Sequence, residues 1–390
     1  MAPGLTLLFD AGQYPVCAAA TTGLGLRIAE LAETLSRTFD VVVYSPDTTD
    51  ALHLGEATLA APHKGWSELV RTADVAFFFD IADDQRFEDA VSNKLTIISE
   101  TAPPLEHAGF PSLLRADSPS RAYEAIVAGY NRQIALSDHF ICRSAVEKAT
   151  VVSSLMTAGR IGPDDIARSP TMDHVVTTIP IGFSHHSRLR AESAISRPKA
   201  DFLWTGGLWS FYDPGVLVQA VALCATRGID VTAAFVYGGP HPDNQAVISE
   251  LDRDIDVLGM RSRVRIRHDP LRHYERDAML KGAMGFVCIA RPGVENETCV
   301  RLRLRDSRLY GVPLIVDGFG ATADEVRRDG SGIVLAEPTA EALADVLAHL
   351  ATGRDRRHAS ATYEYRLELH GLTRRLIELR PDAAPCANES

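Results

Sequence analysis

Residues 283–316 read AMGFVCIARPGVENETCVRLRLRDSRLYGVPLIV and contain the pattern that decides the fold. The apolar run at 283–290 is typical of a strand that lies buried on both faces of a parallel sheet. Thr298 is predicted to cap a helix that runs to Tyr310, where a glycine and a proline end it. A second apolar run at 312–316 follows. The stretch therefore predicts one right-handed strand-helix-strand unit.

Two carboxylates lie in the loop between the first strand and the helix. Glu295 and Glu297 follow the carboxyl end of the strand, where open parallel sheets bind their ligands. A carboxylate at such a helix mouth can accept hydrogen bonds from two hydroxyl groups of a sugar. With arginines on the same rim, this layout is typical of a sugar-nucleotide site.

The arginines of the predicted helix divide between two faces. Steps of 100° per residue place Arg301, Arg305 and Arg308 on one side, and Arg303 with Asp306 on another. The first face fits a solvated arginine stripe. The second face is either part of a site or an ordinary surface ion pair worth about 0.2–0.5 kcal/mol. Spacing alone leaves both interpretations open.

Composition limits the class of protein. The chain has 390 residues, of which 46% are hydrophobic and 23% charged, which indicates a soluble α/β protein of two domains. The formal net charge of -11 argues against a general surface for nucleic acid or anionic membrane, since both need a basic field. Partners of these two classes are therefore not expected.

Cysteines and the N-terminus give an expectation about location. The six cysteines form no CxxC pair and no metal-finger spacing, so we predict reduced thiols. No charged leader begins the sequence and no stretch of 18 apolar residues occurs, so we expect a cytoplasmic protein without stable membrane insertion.

Acidic and histidine motifs do not indicate a metal site. The pairs Asp83-Asp84 and Asp164-Asp165 are adjacent in sequence, which suits helix caps better than a two-ligand clamp. No HExxH motif occurs among the 13 histidines. We predict no metal.

Apolar runs alternate with amphipathic segments along both halves of the chain. We predict an N-terminal domain at 1–183, a linker at 184–199 and a C-terminal domain at 200–355. Residues 356–380 are expected to form a helix that crosses back to the N-terminal domain, and 381–390 a disordered tail. Each domain is predicted to be Rossmann-like and doubly wound.

A second loop of interest precedes a helix in the C-terminal half. The paired Gly206 and Gly207 expose backbone N–H groups, which suits a pyrophosphate cradle at a helix N-terminus. The alternative is an ordinary strand-to-helix turn with Trp204 and Trp209 packed beneath it. The aromatic rings also suit stacking on a nucleobase.

A weaker glycine pattern lies near the N-terminus. Gly23 and Gly25 precede a helix, as a phosphate or sugar loop requires. Ile28 occupies the third glycine position of the dinucleotide-binding GxGxxG pattern. This departure makes a dehydrogenase less favoured.

Five segments of the chain together resemble retaining GT-B glycosyltransferases of the family 4 type. They are residues 137–142, 159–163 and 178–182, the loop at 204–214 and the segment at 295–313. The resemblance is to a bacterial group of sugar-nucleotide transferases from polysaccharide and natural-product pathways. It implies two Rossmann-like domains facing a central cleft, an acceptor on the N-terminal domain, a nucleotide on the C-terminal domain, retention of the anomeric configuration and no need for metal.

The resemblance also implies site residues. Counting back from Gly311, the group's pattern of Glu, R-x-R and Asp falls on Glu295, Arg301, Arg303 and Asp306. The family has Thr directly after its Glu, which fits Glu297 better, so both glutamates are candidates. The expected donor-binding residues are Gly206, Gly207, Trp209, Glu295, Glu297, Arg301, Arg303 and Asp306. The glycine loop lacks the family's basic pair, so we expect the two R-x-R arginines to hold the diphosphate.

The acceptor side is predicted from the first domain. Glu100, Glu106 and His107 follow the strand at 95–98 and fall at the cleft in the resembled fold. The expected acceptor-binding residues are Gly23, Gly25, Glu100 and Glu106. Catalytic contact is expected from Glu295 and His107, although a histidine after a strand is often structural. In the implied mechanism the leaving phosphate accepts the acceptor's proton, so no protein nucleophile is expected.

The function predicted from sequence is transfer of a sugar from a nucleoside diphosphate to a natural-product or saccharide acceptor. No cofactor is expected beyond this nucleotide-sugar substrate. The partners are then a small-molecule donor and acceptor, with a possible homodimer. The alternatives are a sugar-nucleotide epimerase or pseudo-glycosyltransferase of the same fold, and an NAD-dependent Rossmann oxidoreductase.

Overall fold

The structure is a computed structural model that describes residues 4–12, 14–17, 22–45, 51–60, 64–236, 242–269, 273–353, 363–365 and 369–378. It contains one sheet of seven strands and one of six. All strand pairs within both sheets are parallel. The predicted α/β class with two doubly wound units is confirmed.

The first sheet has the strand order β3-β2-β1-β4-β5-β6-β7. Its strands are β1 Thr6–Asp10, β2 Asp40–Tyr44, β3 Thr58–Leu59, β4 Val75–Phe79, β5 Thr96–Glu100, β6 His139–Cys142 and β7 Val176–Thr178. The helices of this half are α1 Gly23–Leu35, α2 Trp66–Val70, α3 Asp84–Ser92, α4 Pro111–Leu114, α5 Pro119–Leu136, α6 Ala145–Thr157, α7 Pro163–Arg168 and α8 His185–Ser193, with a 3₁₀ turn at Pro104–Glu106.

The second sheet has the order β10-β9-β8-β11-β12-β13. Its strands are β8 Phe202–Trp204, β9 Ala233–Phe235, β10 Val264–Ile266, β11 Gly285–Cys288, β12 Leu314–Val316 and β13 Gly332–Val334. The helices that follow α8 are α9 Gly215–Thr226, α10 Pro242–Val257, α11 His273–Leu280, α12 Val294–Thr298, α13 Leu304–Tyr310, α14 Gly320–Asp329, α15 Ala340–Thr352 and α16 His370–Glu378.

The segment predicted as an irregular linker contains a helix. Ser184 caps α8 by accepting a hydrogen bond from the backbone N–H of Ser187 at 3.2 Å. The hydrophobic pattern of α8 is weak because its buried positions are taken by Ser187 and Ala191. Apolar periodicity, which identifies most helices, therefore gave no signal here.

The predicted helix from Thr298 to Tyr310 is wrong. The chain forms two short helices, α12 and α13, separated by an extended stretch that begins at Cys299 and by a turn at 302–303. Thr298 ends α12, and its hydroxyl donates to the carbonyl of Val294 at 2.9 Å. In the extended stretch the N–H of Arg301 donates to the hydroxyl of Thr322 at 3.0 Å. A contact with α14 thus replaces the helical hydrogen bond.

The arginine stripe is not solvated. Arg301, Arg305 and Arg308 are 3%, 4% and 1% exposed, so the predicted solvent-facing side of the helix is buried. Buried guanidinium groups require partners. These partners come from elements distant in sequence and are described below with the site.

The C-terminal residues complete the first hydrophobic core. Leu369, Leu372 and Leu376 pack in the same cluster as Leu7 and Phe9 of β1. Residues 356–380 were predicted to cross back in this way; 354–362, 366–368 and 379–380 lie outside the described residues, as does the predicted tail at 381–390. No helix in the described part of the chain is long and apolar enough to cross a membrane.

Truncation of Leu376 to alanine is expected to lower the free energy of unfolding by about 2–5 kcal/mol, because it removes a fully buried side chain from the first core. Ile377→Ala is the matched control, since the Ile377 side chain is 46% exposed. Urea unfolding of both variants measures the difference. Equal losses in the two variants would show that α16 does not dock on this core.

Candidate functional site

The cleft between the two sheets holds a cavity of about 350 Å³, here called the first cavity. Both halves of the chain line it. The first half contributes Gly23, Arg27 and Arg143, while the second contributes Gly206, Gly207, Tyr212 and the stretch Cys299–Arg303. The loop after β8 and the segment after β11 therefore meet here, as the sequence predicts for carboxyl ends of neighbouring parallel strands.

Arg303 is the central cation of the first cavity. Its guanidinium donates to the carbonyl of Gly207 at 2.7 Å and contacts the sulfur of Cys288 at 2.7 Å. The same group lies 4.2 Å from the ring centre of Tyr212. The structure shows no carboxylate paired with Arg303 among the residues it describes, and the side chain is 8% exposed. A positive charge is thus held beside the cavity by a carbonyl, a thiol and an aromatic face.

The glycines of the loop after β8 make room for that guanidinium. A Cβ atom on Gly206 would lie 1.9 Å from Nε of Arg303, and one on Gly207 would lie 2.7 Å from the indole nitrogen of Trp209. Both positions therefore need glycine for close approach rather than for a left-handed backbone. The loop is shaped around Arg303, and Gly206 and Gly207 both line the cavity.

Arg301 lines the same cavity but is already neutralised. Its guanidinium donates to Asp317 at 2.8 Å and to the carbonyl of Cys288 at 3.1 Å. Asp317 is fully buried and also accepts from the N–H of Ala290 at 2.8 Å. Of the two predicted diphosphate ligands, Arg303 is therefore the one whose charge is not matched within the described part of the protein.

Asp306 does not form the predicted pair with Arg303. Its carboxylate binds Arg276 and, at 3.0 Å, Arg305. Arg305 in turn pairs with Glu30 of α1 at 2.6 Å, which joins the two halves of the protein. Asp306 lines the first cavity. Both its oxygens hold arginines, which positions α13, and the donor contact expected of Asp306 stays a prediction.

The two candidate glutamates differ in environment. Glu297 is exposed, whereas Glu295 is partly buried and has an oxygen with no hydrogen-bond partner among the described residues. Burial raises the pKa of Glu295 to about 7, although the charges of Arg301, Arg303 and Arg143 act in the opposite direction. Glu295 therefore faces the arginines of the cleft, and Glu297 faces solvent.

Glu106 holds an arginine that the sequence analysis did not select. Arg143 contacts Glu106 at 3.1 Å and Glu147 at 2.8 Å, and it lines the first cavity from the N-terminal half. Burial raises the pKa of Glu106 to about 7. Glu106, Glu147 and Cys299 are also the one group in the described ranges that could hold a metal ion. Arg143 already pairs with both carboxylates, and its positive charge would repel a metal ion, so this donor set is a poor match for a cation.

Glu100 and the glycines near the N-terminus have structural contacts. Glu100 pairs with Arg27 at 2.8 Å, and it lines neither of the cavities described here. A Cβ atom on Gly23 would lie 2.9 Å from Leu302, and one on Gly25 would lie 2.6 Å from the carbonyl of Pro15. Gly23 thus lines the first cavity where the halves touch, and Gly25 packs inside the first half.

A second cavity of about 700 Å³ lies on the N-terminal side of the cleft. His107 lines it and pairs with Asp80 at 2.9 Å, while Asp80 also accepts from the hydroxyl of Tyr14. Burial alone would lower the pKa of His107, but contact with Asp80 outweighs burial and raises that pKa. Glu106 is adjacent to His107 in sequence but lines neither cavity, and its partner Arg143 lines the first.

Trp209 lies in the wall of both cavities. Its ring centre is 5.9 Å from that of Phe110, which belongs to the opposite half, and 6.4 Å from that of Phe211. The alternative interpretation, in which Trp209 packs beneath an ordinary turn, does not describe this position. The indole is instead a partition between two compartments of one cleft.

Arg27, Arg143 and Asp80 were missed by the sequence analysis. Asp80 and Arg143 directly follow β4 and β6, so the rule that ligands gather at carboxyl ends of parallel strands selects them. Arg27 lies two residues after Gly25 in the N-terminal glycine pattern. Its partners Glu100 and Tyr365 are 73 and 338 residues away, and no local pattern indicates such a pair.

Comparison with solved structures identifies the fold. The chain is similar to HepE of Anabaena in complex with UDP-glucose, with 15% identity, a TM-score of 0.59 and coverage of 96% of this chain and 99% of HepE. It is also similar to sucrose-phosphate synthase of Thermosynechococcus elongatus, with 14% identity, a TM-score of 0.59 and coverage of 96% and 99%. WaaG, a glycosyltransferase involved in lipopolysaccharide biosynthesis, matches with 17% identity, a TM-score of 0.57 and coverage of 95% and 99%.

The fold is therefore GT-B, as predicted. No protein-family model matches the chain, and no curated protein sequence matches it. The likeness is one of architecture, and it extends over both sheets and the cleft between them.

Replacement of Glu295 by glutamine is expected to remove a pH dependence of stability. Because the folded protein raises this pKa from 4.5 to about 7, the stability tied to the neutral carboxyl is full below pH 4.5 and is lost as pH rises through 7. The effect is roughly 1–3 kcal/mol. Unfolding free energies across this pH window for the wild type, Glu295→Gln and the exposed control Glu297→Gln measure it. If the pH dependence of the unfolding free energy persisted in Glu295→Gln and disappeared in Glu297→Gln, the raised pKa would belong to Glu297 instead of Glu295.

Proposed function

We propose that the protein is a glycosyltransferase that moves a sugar from a nucleoside diphosphate to a small-molecule acceptor with retention of configuration. The observation that carries the proposal is Arg303, a buried cation at the cavity between two GT-B sheets, with no carboxylate partner in the described residues. A buried charge without a counter-ion is costly, and a bound anion removes that cost. The anion proposed here is the donor diphosphate.

The diphosphate would contact Arg303 first. The planar guanidinium of Arg303 offers several N–H donors in a fixed geometry, which suits two phosphate oxygens. Arg301 adds a second positive group, although Asp317 offsets much of its charge. Backbone N–H groups of Gly206 and Gly207 lie in the same wall. HepE, bound to UDP-glucose, supports a nucleotide sugar as the ligand of this cleft.

Glu295 is proposed to bind the sugar. Because burial raises the pKa of Glu295 to about 7, its carboxyl group is partly protonated near neutral pH. It can then both donate and accept hydrogen bonds, which matches a pair of sugar hydroxyl groups. Neither glutamate is among the residues that line the first cavity. Glu297 is exposed, whereas Glu295 is partly buried and interacts with the charges of Arg301, Arg303 and Arg143, so the proposal assigns the sugar contact to Glu295.

The transfer needs no protein nucleophile in this proposal. The bond between the anomeric carbon and the phosphate oxygen breaks, and a bond to the acceptor oxygen forms on the same face. The acceptor's proton goes to the leaving phosphate oxygen. Arginines beside that oxygen stabilise the developing negative charge. His107, in the second cavity, is proposed to contact the acceptor hydroxyl rather than to take its proton.

The proposed reaction needs no metal, because guanidinium groups occupy the place where charge develops.

Neither the predicted cytoplasmic location nor the possible homodimer is tested by the structure, and both stay predictions. The resemblance to bacterial natural-product and polysaccharide enzymes is the basis for a small-molecule acceptor.

Replacement of Arg303 by methionine is expected to weaken nucleotide binding by about tenfold to a thousandfold, the loss typical of removing a charged contact in a closed cleft. Arg265→Met is the matched control, since Arg265 is exposed on β10. Calorimetric titration with UDP, dTDP, GDP, ADP and NAD, with and without EDTA, measures the affinities. Binding of NAD alone would overturn the proposal in favour of an oxidoreductase, and EDTA-sensitive binding would overturn its metal independence.

Addition of a methyl group at Gly206 is expected to weaken nucleotide binding nearly as much as loss of Arg303. The new Cβ atom of Gly206→Ala would displace the guanidinium, from which it would lie 1.9 Å. Gly293→Ala is the control, because Gly293 has an extended backbone with φ of 173° and no atom within 4 Å of a new Cβ. Normal nucleotide affinity in Gly206→Ala would show that Arg303 does not hold the diphosphate.

A further inference from the structure

The carboxylate of Asp80 is the centre of a chain of contacts at the second cavity. Asp80 directly follows β4, and one of its oxygens pairs with Nε2 of His107 at 2.9 Å. The other oxygen accepts a hydrogen bond from the hydroxyl of Tyr14. All three side chains line the second cavity. The contacts therefore run from Tyr14 through Asp80 to His107.

The backbone of Asp80 is held in an uncommon conformation. Its φ of 60° lies in the left-handed region, which few residues other than glycine adopt. The N–H of Asp80 donates to the carbonyl of Glu100 at 2.8 Å, and the carbonyl of Asp80 accepts from the side-chain amide of Gln133 at 3.1 Å. Contacts with β5 and α5 thus fix both backbone groups. A strained backbone of this kind persists only where its surroundings determine it, and it is commonly found at functional sites.

The protonation states of the three groups depend on one another. Burial alone would raise the pKa of Asp80, but contacts with His107 and Tyr14 outweigh burial and lower that pKa. Burial and the charge of Asp80 raise the pKa of Tyr14, so its hydroxyl keeps the proton that it donates. Asp80 is therefore an anion that has one contact on each oxygen.

Other charged groups act on His107 more weakly than Asp80 does. The charge of Glu106 also raises the pKa of His107, and the charge of Arg143 lowers it. The remaining charged residues that line the second cavity are Asp83, Asp84 and Arg86. Asp80 is the group that contacts the imidazole directly, and it has the largest effect of these charges.

The second ring nitrogen of His107 is left for a ligand. Nδ1 makes no hydrogen bond or ion pair with the described residues, and the His107 side chain is 19% exposed. Because Nε2 lies against a carboxylate, it keeps its proton in both charge states of the ring. Nδ1 is then the nitrogen that gains or loses a proton, and a ligand in the second cavity meets His107 through it.

Building on the proposed function, in which the second cavity holds the acceptor, we infer that Asp80 is a positioning residue that holds the imidazole of His107 with Nδ1 toward the acceptor oxygen. In the protonated ring, Nδ1–H donates to one lone pair of that oxygen. Another lone pair attacks the anomeric carbon, and the hydroxyl proton stays free to pass to the leaving phosphate oxygen. An imidazolium has no lone pair to accept with, so His107 contacts the acceptor without taking its proton.

The charge and tautomer of His107 are measured by nitrogen-15 NMR of the imidazole groups as pH is varied, and His107→Gln identifies the signal. In the wild type, His107 is expected to titrate above the ordinary pKa of 6.5, and its neutral ring to carry the proton on Nε2. Asp80→Asn is expected to lower this pKa, because it removes the negative charge. Asparagine adopts the left-handed region as readily as aspartate does, so the fold is expected to be kept.

Asp84→Asn is the matched control for Asp80→Asn. It removes a carboxylate that lines the same cavity but is 79% exposed and pairs with Arg132 instead of His107. The titration of His107 in this variant is expected to match that of the wild type.

Water is the acceptor probe, because hydrolysis of the donor can be followed without the natural acceptor. The donor is UDP-, dTDP-, GDP- or ADP-glucose, whichever contains the nucleotide that binds most tightly. At neutral pH, Asp80→Asn is expected to lower kcat for hydrolysis by about tenfold to a hundredfold, the loss typical of a misplaced contact, with the donor KM unchanged. The loss is expected to shrink at low pH, where the ring is protonated in both proteins.

The outcomes separate the two proposals. Failure of every nucleotide to bind would overturn the proposed function, whatever the NMR titration shows. With a nucleotide bound, three results would each overturn the inference about Asp80 alone: equal titration of His107 in the wild type and Asp80→Asn, a neutral ring protonated on Nδ1, or equal hydrolysis by the two proteins at neutral pH. If the wild type hydrolyses no donor, the NMR titration decides.

Discussion

The structure depends on burial of the arginines of the segment after β11 between the two sheets. Arg305 pairs with Glu30 of α1, and Arg308 pairs with Glu325 and Asp329 while its guanidinium lies 3.6 Å from the ring centre of Tyr363. Such pairs offset the cost of removing charges from water only when every donor is well placed. Directional contacts therefore fix the relative position of the two halves. They also fix the positions of the residues that line the cleft from either half.

Arg303 is the exception within this arrangement. Arg301, Arg305 and Arg308 each have at least one carboxylate partner, whereas Arg303 rests on a carbonyl, a thiol and aromatic rings. Arg301, Arg303 and Arg305 all line the first cavity, and of these three only Arg303 makes no ion pair with a carboxylate of the described residues. Arginines with a carboxylate partner thus stabilise the structure, whereas Arg303 is the one proposed to bind the ligand. The two roles differ because the side chains have different neighbours.

The sequence was sufficient for the fold because buried parallel strands are continuous apolar runs. The apolar runs predicted as strands at 283–290 and 312–316 contain β11 Gly285–Cys288 and β12 Leu314–Val316. The sequence was insufficient to predict the site wherever a site residue contacts a residue that is distant along the chain. The break between α12 and α13 arises from contact with Thr322, and the burial of Arg305 depends on a glutamate 275 residues away. Spacing also left Glu295 and Glu297 equivalent, since only packing against the opposite half separates them.

The docking of α16 on the first core has a consequence for biosynthesis. Leu372 and Leu376 fill a cluster whose other members belong mainly to the first hundred residues. A ribosome makes those early residues first, and the leucines that finish their core are added only after the whole second sheet has been synthesised. The core of the N-terminal unit therefore stays incompletely packed until residues 369–376 have been synthesised, after the second sheet.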